Sequence, residues 1–318
     1  MHDLSGVTVL DKAKFDEAET LLTGAIEIER KLFPDGNKDV AFALFGLGEL
    51  YVRKADYNKA RPLLDESVSI YDKLLGANNM DSAAVLVSLA RTQAFTGDLA
   101  GAEATYRQSV AIYRQLPSRY EIRLATALLN LGLLQVTKRN FDEGISTMLE
   151  AEAIFFRKQG ESFTSFEAKA YLCRAYFSKS DYDQTIVEGQ KAIEMGRRLK
   201  LEDAQDFIVS LEYVGLAATR NGKAKEGEPT LRESLDRVRK TWPSEVPFAI
   251  AALSECLTTQ KRFAEAEPLM TENFEVLRST LGPDNPRTAA SKDRLIKLYN
   301  DWKKPELAAK YGALTGAQ

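Results

Sequence analysis

Few side chains in this sequence are equipped for catalysis, and their positions argue against it. The single histidine, His2, sits beside the initial methionine. A Ser-His-Asp triad would therefore have to use the chain terminus, and HExxH, Cys2His2 and three-histidine metal sites cannot be assembled. Cys173 and Cys256 are far apart and form no CxxC pattern, so neither a disulfide framework nor a zinc site is indicated, and a reducing cytoplasm fits. With no histidine to activate it, Cys173 reads as a packing residue. The stretch "FGLGEL" at 45–50 offers the Gly-x-Gly half of a nucleotide loop, but the motif is incomplete and no strand precedes it. The expectation is a non-enzyme with no catalytic residues, no cofactor and no metal.

Composition narrows the partners. Among 318 residues, 43 Lys and Arg face 46 Asp and Glu, with both signs spread along the chain. That gives no basic footprint for nucleic acid or an anionic membrane, and leaves a protein or peptide as the expected partner. No run approaches the roughly 18 consecutive apolar residues of a membrane span, and "MHDLSGVTVLDKAKFDE" has no export-signal pattern. The reading is a soluble, cytoplasmic chain.

What such residues would be positioned by is visible as a period. The phrases "KFDEAE", "DYNKAR", "DLAGAE", "NFDEGI", "DYDQTI", "KAKEGE", "RFAEAE" and "KPELAA" recur. Their second residues are Phe15, Tyr57, Leu99, Phe141, Tyr182, Ala224, Phe263 and Pro305, at intervals of 42, 42, 42, 41, 42, 39 and 42. Three residues further on lies a small or nearly small residue: Ala18, Ala60, Ala102, Gly144, Thr185, Gly227, Ala266, Ala308. Upstream lies another: Gly6, Gly48, Ala90, Gly132, Cys173, Gly215 and Ser254, with Ile296 departing from the rule. Two small slots per unit imply two helices in close approach, and the leucine or valine before the upstream slot is a knob filling the space it leaves. In the second unit, Leu44, Leu47, Gly48 and Tyr51, then Ala60, Leu64, Ser67 and Tyr71, recur at helical spacing. This predicts a first helix over 40–54, a second over 57–75, and a turn carried by Asp56.

The pattern Leu47, Gly48, Tyr51, Ala60 and Ser67 resembles the tetratricopeptide repeat. The usual unit is about 34 residues, and the longer period here is similar to the kinesin-light-chain subclass, whose exit linkers resemble "LGPDNPRTA" at 281–289 and "LGANNMDSA" at 75–83. In that linker Pro283 and Pro286 stop the second helix, Gly282 permits the turn, and Thr288 or Asp284 can cap the next helix. The resemblance covers essentially the whole chain. It implies an all-α, right-handed superhelical solenoid of about eight helix-turn-helix pairs forming a single domain over 1–318. Turns are expected near 15, 57, 99, 141, 182, 224, 263 and 305. The first unit, through Leu4, Gly6 and Val9, begins partway into its helix and reads as truncated, consistent with a fragment of a longer protein.

The ending "NPRTAASKDRLIKLYNDWKKPELAAKY" also resembles repeat regions attached to bacterial serine/threonine protein kinases, although no kinase signature is present. That likeness implies the alternative of a regulatory or self-assembling module of a bacterial signalling protein, with solenoid ends stacking. The basic clusters "ERKLF", "FRKQG", "RRLK" and "RVRK" fall at the ends of second helices, where cations oppose the negative end of the helix dipole.

In this fold the first helices line the concave side. Register then nominates a peptide-binding groove of Phe45, Glu49, Arg91, Asn130, Leu133, Tyr171, Arg174, Phe177 and Tyr213, where aromatic and aliphatic surface is interspersed with charge. Members that hold a peptide backbone through asparagines imply that role for Asn130, whose equivalents Gly46, Ser88, Tyr171, Tyr213 and Ala252 depart from it. Packing between adjacent first helices is the competing role for all these residues.

Overall fold

The computed structural model describes residues 9–34 and 36–314, with side chains from Lys14 onward. Among the described residues the secondary structure is helical throughout, and contacts divide the chain into two compact units, 1–160 and 161–318. The first unit holds α1 (Val9–Leu32), α2 (Lys38–Arg53), α3 (Tyr57–Leu75), α4 (Met80–Phe95), α5 (Leu99–Gln115), α6 (Glu121–Thr137) and α7 (Phe141–Gln159). The second holds α8 (Phe163–Ser178), α9 (Tyr182–Arg198), α10 (Gln205–Arg220), α11 (Ala224–Thr241), α12 (Val246–Thr259), α13 (Phe263–Leu281), α14 (Pro286–Asp301) and α15 (Pro305–Gly312). The fold is all-α and of the tetratricopeptide solenoid class, built from helical hairpins in sequence order.

Each hairpin turns the same way for the same reason. Ala55, Gly97, Arg139, Ser180, Gly222, Lys261 and Lys303 all have φ between 55° and 91°, two residues before the second helix begins. The next N–H reaches back five residues, as from Asp56 to the Tyr51 carbonyl at 2.9 Å and from Lys304 to the Tyr299 carbonyl at 2.8 Å. This is the Schellman closure, which uses up carbonyls the first helix leaves open. Asp56, Asp98 and Asp181 then cap the second helix by accepting from the backbone N–H of Lys59, Gly101 and Gln184.

Only two of these left-handed positions carry glycine, and a Cβ there strains the backbone. Ala55→Gly is therefore expected to stabilise the α2–α3 hairpin by about 0.5–1 kcal/mol, less the extra freedom glycine gives the unfolded chain. A thermal melt of the variant checks the sign, and a lowered midpoint would contradict the strain.

Small residues set the helix spacing. A Cβ on Gly132 would lie 2.8 Å from the carbonyl oxygen of Gly144, and one on Gly144 would lie 2.8 Å from that of Gly132. Gly215 and Gly227 face one another in the same way across α10 and α11. A Cβ on Gly48 would meet Leu64 Cδ2 at 2.7 Å, and Ala60, Ala90, Ala102, Ala266 and Ala308 are buried. A second lock lies deeper in several hairpins. The hydroxyls of Ser67 and Ser109 donate to the Ala41 and Ala83 carbonyls at 2.7 and 2.8 Å, and Asn273 Nδ2 donates to the Pro247 carbonyl at 3.1 Å, each 26 residues upstream.

Two expectations are corrected and one is extended. There is no turn near 15: α1 runs unbroken from Val9 to Leu32, while Leu4 and Gly6 lie outside the described residues. Asn285, rather than Thr288 or Asp284, caps α14, its Oδ1 accepting from the Arg287 N–H at 2.9 Å. Thr288 instead donates to the Leu277 carbonyl at 3.2 Å, tying the linker to the helix it leaves. The arginines of the basic clusters do more than face a dipole. Arg30, Arg197 and Arg239 pair with Glu66, Glu233 and Glu272 on the second helix of the following hairpin, at 2.6, 2.7 and 2.7 Å, and Arg114 pairs likewise with Glu150 at 2.8 Å. Arg157 bonds Glu121 at 2.9 Å.

Candidate functional site

The nominated residues fall on the first helices of both units. In the first, Phe45 and Glu49 stand on α2, Arg91 on α4, and Asn130 and Leu133 on α6, all half-buried. Arg91 spans two hairpins to reach both Glu49 oxygens at 2.9 and 3.0 Å, so these two charges serve the packing of neighbouring first helices. Asn130 Nδ2 donates to the Thr126 carbonyl one turn back at 2.8 Å. Part of its capacity for a ligand backbone is thus spent inside its own helix.

In the second unit the residues form a continuous surface. Phe177 of α8 lies against Tyr213 of α10 with ring centroids 4.7 Å apart, and against Tyr182 at 5.9 Å. Arg220 lies over the Phe177 ring at 5.1 Å and is itself held by Glu255 of α12 at 2.8 Å. Phe177 and Tyr213 therefore hold two first helices in register while keeping part of each ring at the surface. Arg174 is exposed and lies over the Tyr171 ring at 5.3 Å, a cation–π contact worth about 0.5–1 kcal/mol at an exposed site.

Carboxylates rim this surface. Glu167 accepts from the Tyr171 hydroxyl at 3.1 Å. Burial raises the pKa of Glu167 and Asp206 above the ordinary carboxylate range, and Arg174 partly opposes the shift at Asp206. Glu212, one residue before Tyr213, is pushed up to about 7 by burial, with Glu245 adding repulsion. Half-buried acids whose ionisation is held back by desolvation gain from a cation brought to them. Glu167 and Asp206 were missed in the sequence because they lie one to two turns before the nominated positions on α8 and α10. Only their helical spacing from Tyr171 and Tyr213 could have revealed them. Burial also raises the Cys173 thiol, leaving it inert. Among the described residues no group of three or more His, Cys, Asp or Glu is arranged to hold a metal ion, and no helix is long and apolar enough to cross a membrane.

Comparison with known proteins agrees with this architecture. Two family profiles described as tetratricopeptide repeat match, one at residues 4–73 and 39–115, the other at 249–287. No curated protein matches the sequence. Among solved structures, BtubC (BKLC) from P. vanneervenii is similar at 20% identity and a TM-score of 0.60, covering 71% of this chain and 91% of that one. A kinesin-light-chain protein of Podosopora anserina with nearly identical TPR-like repeats is similar at 17% identity and a TM-score of 0.56, over 65% of this chain and 98% of its own. A signal transduction ATPase with numerous domains and a tetratricopeptide repeat sensor, from Pyrococcus horikoshii, reaches a TM-score of 0.70 at 15% identity, over 93% of this chain and 43% of its own. At these identities the likeness is one of fold. Hairpins in constant register, small residues at each crossing and these matches lead to one conclusion: the chain carries tetratricopeptide repeats.

Proposed function

We propose that this chain is a non-catalytic scaffold that binds a peptide or protein segment in a groove lined by the first helices of its hairpins, with the surface of α8 and α10 as the principal contact. The observation that carries this reading is the exposed Arg174 over Tyr171, beside the partly exposed Phe177–Tyr213 pair. Aromatic rings offer large, rigid contact area at low entropic cost, and arginine adds directional donors. The carboxyls of Glu167, Asp206 and Glu212 suit a segment whose apolar side chains meet the rings and whose basic side chain meets the rim.

Peptides selected on the wild-type chain from a random library supply the ligand. Arg174→Ala and Tyr171→Ala are each expected to weaken binding by roughly tenfold, equivalent to about 1.4 kcal/mol, with the thermal midpoint unchanged for the exposed Arg174 and the fold retained for the half-buried Tyr171. Wild-type affinity in both variants, for every selected peptide, would exclude this surface as the contact.

A further inference from the structure

Among the described residues, the face of α1 turned away from α2 is unlike that of any later second helix. In later hairpins the equivalent helix is covered by its own first helix, and the positions matching Ala25, namely Ser67, Ser109, Ala151, Ala192 and Ser234, are all fully buried. On α1, Ala25 is exposed, Leu21 is 66% exposed, Ile28 59% and Leu32 65%. Uncovered aliphatic side chains at this density, on one stripe of a 24-residue helix, mark an interaction surface.

The stripe is ordered. Glu17, Leu21, Gly24, Ile28 and Lys31 follow one another at intervals of four and three residues, the spacing of a coiled-coil seam. Read in reverse, it complements itself. A two-fold axis through Gly24 sets Leu21 against Ile28 of a second copy and Glu17 against its Lys31. Among the described residues, neither Glu17 nor Lys31 has an ion-pair partner.

Gly24 is a further sign. Of the glycines inside later helices, those at 48, 132, 144, 189, 196, 215 and 227 are each pressed by a neighbour that a Cβ would strike, while one on Gly46 would make ordinary contact with Leu22 at 3.4 Å. A Cβ on Gly24 would meet nothing within 4 Å. A glycine in a helix interior that no contact of its own chain requires weakens the helix to no internal purpose, and is explained if a second backbone approaches it.

We propose that α1 is a self-association surface, and that two copies of this chain pair through antiparallel α1 helices crossing at Gly24. The charges at the two ends fix the direction, and the glycine at the axis fixes the closest approach. The interface is isologous, so each substitution acts twice.

Sedimentation equilibrium of the full chain, from low micromolar to several hundred micromolar, is expected to show the mass rising from 35.4 kDa towards twice that value. Leu21→Glu and Ile28→Glu should each weaken association by roughly a hundredfold or more. Gly24→Leu should weaken it while leaving the circular dichroism melt of the monomer unchanged or raised, which separates loss of the contact from loss of the fold. Glu17→Lys and Lys31→Glu should each weaken pairing, and the double exchange should restore it. A monomer at every concentration, or association indifferent to Leu21 and Ile28, would overturn the proposal. So would failure of the double exchange to rescue pairing, since the antiparallel register requires it.

Discussion

Gly132→Leu is expected to destabilise the first unit by about 3 kcal/mol or more. Its Cβ would lie 2.8 Å from a main-chain oxygen of α7, at Gly144, and backbone cannot rotate aside. The cost is therefore at the upper end of overpacking, usually about 1–3 kcal/mol. Gly48→Leu provides an internal comparison, because the atoms in its way belong to the flexible Leu64 side chain. It should fall within the ordinary range of about 1–3 kcal/mol. Urea denaturation gives the two differences, and amide exchange should place the damage of Gly132→Leu in α6 and α7. Equal losses in the two variants would mean that main-chain and side-chain obstruction are not distinguished at these crossings.

Glu212→Gln should change stability in a pH-dependent way. The folded chain holds this carboxyl at about 7, well above the 4.5 of an unperturbed glutamate, because burial and Glu245 disfavour its charge. A carboxyl raised in this way binds its proton more tightly when folded. Its contribution is favourable while both states keep the proton, is lost progressively as pH rises from about 4.5 to about 7, and is constant above that. The glutamine variant should therefore match the wild type near pH 4 and exceed it at pH 8 by about 2 kcal/mol, a figure reduced for partial exposure. Thermal melts at both values check this, and a gap that does not widen with pH would show that Glu212 is better solvated than its surroundings indicate. The same titration should make binding of a basic peptide tighter as pH rises through neutrality.

The fold was legible because its determinants are local and repeated. A small residue at nearly every crossing and a leucine or valine beside it recur every 42 residues or so, with an aspartate at the turn before α3, α5 and α9, and each has a physical role that reads without coordinates. The first hairpin was misread because Gly6 and Ala18 match that pattern in type, whereas α1 continues straight through Phe15. Nothing between Val9 and Phe15 breaks a helix: there is no proline, no glycine and no left-handed position. Register placed Tyr171, Arg174, Phe177 and Tyr213 on first helices, where α8 and α10 carry them, but it could not divide labour among them. Whether Arg91 faces a ligand or Glu49 depends on a partner 42 residues away, and the raised pKa of Glu212 depends on burial by other helices. Both are tertiary facts.

The arginine–glutamate pairs between successive second helices bear on how the molecule comes apart. They join neighbouring hairpins, from Arg30 to Glu66, Arg114 to Glu150, Arg197 to Glu233 and Arg239 to Glu272, and add little to either hairpin alone. Each is exposed enough to contribute only about 0–1 kcal/mol and to weaken with salt. In an array whose stability is a sum of unit and interface contributions, ionic strength then acts on the coupling as well as on pairs within single helices such as Arg107–Glu103 and Arg232–Glu228. Salt is thereby expected to lower cooperativity: melting of hairpins within a unit should broaden as ionic strength rises, with the terminal hairpins fraying first.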